Sequence, residues 1–229
     1  MMTRILELAF RLAWKDLRME FRSRQNFLTV LFFAFIVIVI FNFAFEPGSP
    51  AIRESAPAIL WVAFLFAGIL NLSSAFIVEK EEGCLLGLLL APMERGVIFI
   101  GKFLSNMMFQ LLMELLIFPV FLVFFNIELR GGWLWFLLVV ILVNTGFVAV
   151  GTLFSAMTIG LKTREVLLPI LLFPVIVPVI IAGVRATGLV FQGSPGSDLG
   201  SWLKLLGGFD LVFVVVSAAV FRFVVEEAS

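Results

Sequence analysis

Six apolar runs, each near the ~20 residues needed to cross the hydrocarbon core of a bilayer, constrain this chain more than any other feature. They cover 27–45, 58–78, 103–125, 133–159, 166–184 and 203–225. Hydrophobic residues make up 62% of the chain and charged residues 14%. Soluble domains hold roughly 45–50% apolar residues, and a water-soluble core cannot hide the excess. The expected fold is therefore an all-α integral membrane bundle of six transmembrane helices. Six crossings put both termini on one side.

Basic residues set the orientation. With the N-terminus inside, the cytoplasmic segments hold Arg4, Arg11, Lys15, Arg18, Arg22, Arg24, Lys80, Arg95, Lys102, Lys162, Arg164 and Arg222. Only Arg53, Arg130, Arg185 and Lys204 fall on the other side, so the positive-inside rule places both termini in the cytoplasm. On that reading 79–102 and the 160–165 turn face the cytoplasm. The exported face receives 46–57, the 126–132 turn with Trp133 and Trp135 at its lipid boundary, and a Gly/Ser-rich loop over 185–202. The zero net charge is divided among loops and forms no single basic face of the kind that binds nucleic acid.

Residues 1–25 precede the first run and carry a helical period. Arg4, Glu7, Arg11, Lys15, Arg18 and Arg22 recur at spacings of three and four, with Leu6, Phe10, Ala13, Leu17 and Phe21 on the opposite side. The pattern predicts an amphipathic helix in the membrane interface, its basic side chains meeting lipid phosphates. A plain cytoplasmic anchor accounts for the same pattern. A secretory signal peptide does not, because the basic region is too long and the run after it is long enough to span.

The runs differ in character. The first is a Phe/Ile/Val rod interrupted by Asn42 and reads as lipid-facing. The fourth carries Thr145, Ala149, Thr152, Ala156 and Gly160 at spacings of three and four, a stripe along which another helix can come close. The fifth contains Pro169, Pro174 and Pro178, which predict a kinked and locally open helix, either a hinge or a static irregularity.

A few polar residues fall at membrane depth. Glu114 lies within the third run, where a carboxylate costs at least ~2.5 kcal/mol unless it is protonated, paired or wet. Two readings stay open: a substrate-path or coupling group, or a neutral carboxyl bonded to a neighbouring helix through Asn71, Asn144 or Gln110. Asp210, close to Trp202 and Lys204 in sequence, is expected near the outer interface.

Catalytic and metal-binding patterns are missing. The chain has no His, no Tyr and a single Cys, which excludes an internal disulfide and removes the commonest metal and haem ligand. It contains no glycine-rich phosphate loop and no Ser/His/Asp set. Cys84 reads as a packed thiol. The expectation is a transport component and not an enzyme, with no cofactor or metal held by this chain alone and energy supplied from elsewhere.

The segment EKEEGCLLGLLLAPMERGVIFIGK, 79–102, interrupts the apolar sequence between the second and third runs. Its acidic start, leucine ridge and Ala91-Pro92 stop predict a short helix held at the membrane face and shown to a soluble partner. It resembles the cytoplasmic coupling motif of six-span ABC export permeases. More narrowly, KDLRMEFRSR before the first span, APAILWVAFLFAGILNLSSAFIVEKEEG through the second, TREVLLPILLFPVIVPVIIAG through the fifth and FDLVFVVVSAAVFRFVVEE at the end are similar to the cytochrome c maturation protein B family, CcmB, also called haem exporter protein B. The likeness extends through almost the whole chain.

The resemblance implies a homodimeric permease in the bacterial inner membrane. A separate ATPase, CcmA, would hydrolyse the ATP, and CcmC-like, CcmD-like and CcmE-like haem-handling proteins would work beside it. Haem is then a possible substrate of the complex, and release of the haem-loaded carrier its ATP-driven step. By position, Glu79, Glu81, Glu82, Gly83, Leu85, Leu86, Leu89 and Pro92 correspond to the coupling motif. Cys84 stands where a threonine is usual, and Gly87 where an acidic residue is usual. Two rival classes share the layout: an export permease for lipid, polysaccharide or small molecules, and a non-transporting membrane scaffold.

Overall fold

The structure, a computed structural model, describes residues 2–22, 24–45, 49–75, 95–159, 161, 163–194 and 196–227. Among them are seven helices: α1 Met2–Arg22, α2 Arg24–Ala44, α3 Pro50–Ser74, α4 Arg95–Phe125, α5 Trp133–Thr158, α6 Arg164–Gln192 and α7 Ser197–Glu227. The last six are each long and apolar enough to cross a membrane. The chain is a multi-pass membrane protein.

Several spans run beyond the apolar stretches that announce them. α3 begins at Pro50 and not at 58, because Ser49 is an extended N-cap whose Oγ accepts the Ile52 amide at 3.4 Å, with Pro50 at the first helical position. α4 begins at Arg95, and its 31 residues rise ~46 Å, well past a ~30 Å hydrocarbon core. α6 runs on to Gln192, so the loop expected over 185–202 shrinks to the few residues between Gln192 and Ser197. Gly193 ends α6 with φ +75°, and the Ser194 amide reaches back to the Leu189 carbonyl at 3.0 Å. A left-handed glycine with that return bond is a Schellman stop.

Pro169, Pro174 and Pro178 do not break α6, which is helical throughout. Each lacks the amide that would donate to the carbonyl four residues back, so the irregularity expected here lies within one continuous helix and does not divide it.

α3 and α5 are the most enclosed spans, and α2 and α7 the least, in keeping with a lipid-facing first span. The inner helices approach closely where side chains are missing. A Cβ on Gly68 of α3 would stand 2.3 Å from the Phe147 ring of α5, and one on Gly151 would stand 2.3 Å from Leu72 Cδ1. The stripe expected on the fourth span is partly right: Ala149, Thr152 and Ala156 are buried, and Gly160 lies outside the described residues. Thr145, however, turns its hydroxyl onto the Ile141 carbonyl, and the closest approaches are made by Gly146 and Gly151.

α1 is divided three ways, not two. Ala9, Leu12, Ala13, Asp16 and Leu17 are buried. The helix packs along the start of α4, where a Cβ on Gly101 would stand 2.6 Å from Leu12 Cδ2. Phe10 and Trp14 instead remain 56% and 55% exposed, an apolar flank between the protein-facing and charged sides.

Candidate functional site

Two clusters of polar side chains stand out among the described residues, at the last turn of α3 and at the seam of α3, α4 and α5. Carbonyls in a helix's last turn have no intrahelical partner. In α3 they are taken up by other helices. Leu72 O accepts Ser155 Oγ of α5 at 2.6 Å, and Ala75 O accepts Lys102 Nζ of α4 at 3.1 Å. Ser73 O accepts Arg164 of α6. The Ser74 hydroxyl accepts Asn26 Nδ2 of α2 at 2.8 Å, and Asn26 also donates to Glu20 of α1. Four helices are thus fastened to the turn after which the segment 76–94 departs, and α1 joins them through Asn26.

Lys102 adds a second fastening. Its ammonium lies 3.0 Å from Asp16 Oδ2 of α1, with both side chains nearly sealed from solvent, at 3% and 8% exposure. Lys15 Nζ stands 3.2 Å from the other carboxylate oxygen. A small cavity of about 20 Å³ lies beside this pair, bordered by Asn71, Ser74, Ser105 and Asn106. That is room for one water-sized group. Asn106 Nδ2 donates to Thr152 Oγ1 of α5 at 3.0 Å.

The second cluster lies deeper. Glu114 is buried, its two oxygens accepting Gln110 Nε2 at 2.8 Å and Asn144 Nδ2 at 2.6 Å. Gln110 also donates to the Phe64 carbonyl of α3 at 3.0 Å, so the carboxyl joins α4 to α5 and Gln110 extends the link to α3. Of the partners expected for Glu114, Gln110 and Asn144 serve it, whereas Asn71 belongs to the α3 end instead.

Asp210 is not near the interface. It is the fourteenth residue of α7, ~20 Å along the helix from Ser197, and it is buried against α5. Gly146 makes the space: a Cβ there would stand 2.8 Å from Asp210 Oδ1. No side-chain donor reaches either Asp210 oxygen among the described residues, and the carboxylate rests against the Gly146 backbone. The nearby Lys204 and Trp202 mislead in sequence because α7 begins at Ser197 and its first turns lie outside the apolar run.

The residues expected to meet a partner, Glu79, Glu81, Glu82, Gly83, Leu85, Leu86, Leu89 and Pro92, lie outside the described residues. What is described is the pair of anchors for that segment, α3 on one side and α4 on the other. Asp16 was the functional candidate hardest to see in the sequence. Its signal is an acid between Ala13 and Leu17 on the side of α1 that otherwise carries small and apolar residues.

Six apolar spans, with buried polar groups bonded between helices and several spans tied together where one long connection leaves, define a polytopic integral membrane protein of the kind that serves as a transport component. A family profile described as "CcmB protein" matches residues 7–227, and this chain belongs to that family. It is 30% identical to the heme exporter protein B of Pseudomonas aeruginosa over 90% of this chain and 92% of that one. It is also 30% identical to the heme exporter protein B of Rhodobacter capsulatus, over 91% and 95% of the two chains. The Escherichia coli heme exporter protein B is 29% identical over 84% and 86%.

Proposed function

We propose that this chain is the permease subunit of an ABC transporter in cytochrome c biogenesis, serving haem delivery and the ATP-driven release of a haem-loaded chaperone. Its relatives are named heme exporter protein B, and the match takes in nearly the whole chain. The chain is multi-pass in the bacterial inner membrane with both termini in the cytoplasm, the orientation that its basic residues favour. It forms a homodimer, a separate CcmA-like ATPase supplies hydrolysis, and CcmC-like, CcmD-like and CcmE-like proteins complete the assembly.

One observation carries the mechanism: the last turn of α3 is bonded to α2, α4, α5 and α6. Closure of the ATPase pushes on 79–92. The push enters α3 at Ala75 and α4 at Arg95, and Lys102 binds those two entries together. Ser155 and Arg164 pass it to α5 and α6 before it can dissipate in a loose loop. With no histidine in the chain, haem contacts fall to Met, Cys, carboxylate, Phe and Trp side chains, so the purified subunit shows weak or no axial ligation of haem.

The test is co-purification in mild detergent with the Glu82→Ala/Leu86→Ala variant. The wild type brings down an ATPase and haem-handling partners, and the variant inserts normally but loses the ATPase. A normally active ATPase complex with the double variant rejects the coupling role. ATPase stimulation by lipid or polysaccharide, with no haem-handling partner present, rejects the haem reading.

A further inference from the structure

At the end of the bundle away from α1 lies a crevice of about 710 Å³ between the first turns of α3, the last turns of α6 and the first turns of α7. Its rim carries Arg185, Glu54 and Asp198, and its walls include Trp202 and Ile181. The three charged side chains are exposed, and none makes an ion pair or hydrogen bond among the described residues. One guanidinium and two carboxylates therefore border a single space without cancelling one another. Ile181 is 51% exposed, so the crevice continues onto the face that α6 presents to lipid.

Gly188 holds the space open. Glycine is among the poorest residues for a helix interior, and it needs a reason to be in α6. Its backbone is ordinary, and a Cβ there would meet nothing nearer than Pro57 Cγ at 3.7 Å. The other glycine of this helix, Gly183, is different, since a Cβ there would press on Val143 at 2.8 Å. Close packing explains Gly183. Gly188 lines the crevice, and what its missing side chain provides is volume.

We propose that this crevice binds the headgroup of a zwitterionic, ethanolamine-class phospholipid, with its phosphate on Arg185, its ammonium between Glu54 and Asp198, and an acyl chain leaving along Ile181. The charge arrangement selects the class. Phosphate suits the guanidinium fork, and a primary ammonium has N–H groups for both carboxylates. A trimethylammonium has none, and an anionic headgroup meets two carboxylates for one cation. Trp202 stands near the start of its candidate span, Asp198–Val224, and aromatic side chains favour the headgroup region at span ends. The inference rests on the membrane-spanning fold and is independent of the haem reading.

The test is native mass spectrometry of the full chain in micelles doped with phosphatidylethanolamine, phosphatidylcholine or phosphatidylglycerol of matched acyl chains. Ethanolamine lipid is retained about tenfold over the other two, the effect of one charge-assisted pairing. Arg185→Gln and Glu54→Gln/Asp198→Asn each abolish that preference. Gly188→Phe fills the crevice and removes the retained lipid, whereas Gly188→Ala does not. Equal retention of all three lipids, preference for phosphatidylglycerol, or wild-type retention by Arg185→Gln overturns the proposal. If Gly188→Phe fails to fold, the exposed Arg185→Gln variant decides alone.

Discussion

At the α1 end the buried acid, Asp16, is met by an ammonium, with Lys102 Nζ at 3.0 Å; at the α3–α4–α5 seam the buried acid, Glu114, is met by two amides at 2.8 and 2.6 Å. The two arrangements respond to different depths. Near the end of a span a long lysine can hold one carboxylate and one backbone carbonyl at once, and both charges cancel locally. Deeper in the bilayer an extra cation is expensive, and neutral amides supply the donors instead. The first arrangement is strong and depends on charge, suiting a place where separate helices must move as one. The second is milder and fixes the rotation of three helices about a common seam.

Breaking each arrangement separates them, and the ion pair responds most. Lys102→Met leaves Asp16 buried beside the more exposed Lys15 and frees the Ala75 carbonyl. The expected loss is about 3–5 kcal/mol, read as the steepest fall in thermal stability in detergent. Asp16→Asn/Lys102→Met removes both charges and recovers most of that loss. If the double variant is no better than the single, the pair is not what holds α1 to α4.

A smaller effect is expected at the seam. Glu114→Leu strands the Asn144 amide, while Gln110 keeps the Phe64 carbonyl, for a cost of about 1–3 kcal/mol. Glu114→Gln costs less, because the Asn144 amide can turn and offer its oxygen. Thermal melts of the two variants check the order. A Gln variant as unstable as the Leu variant would mean that the seam needs a charge, and the contrast with Asp16 would vanish.

Much of the architecture can be read from apolar run length alone, because a bilayer imposes a single length scale on every span. The polar ends were less legible. The start of α3 depends on a cap at Ser49, and α6 outruns its apolar stretch until the glycine at 193 stops it. Helix contacts were half legible: alternating small residues marked α5, yet Gly146 and Gly151 make its close approaches because their neighbours Asp210, Phe209 and Leu72 project into them. Glu114 and two of its partners were visible as polar residues at matching depth. Asp16 with Lys102 was not, since pairing across 86 positions depends on how α1 lies against α4, and no local pattern encodes that.

Asp210 sharpens the comparison because it follows neither arrangement. It is buried like Asp16 and Glu114, but no side-chain donor reaches its oxygens among the described residues, and it leans on the Gly146 backbone. A buried carboxyl with so few donors costs stability, so Asp210→Ala should leave the melting temperature unchanged or raise it, an effect of ~1 kcal/mol once the small void left by the side chain is offset. That is the smallest change of the three acids and opposite in sign. Intramembrane acids that cost stability are kept for function. The same variant should therefore lose ATP-driven activity in the assembled complex while its melt improves. A melt as poor as that of Glu114→Leu would instead mean that Asp210 holds a partner in the assembled protein, and α7 would then be fastened to α5 by a third polar contact.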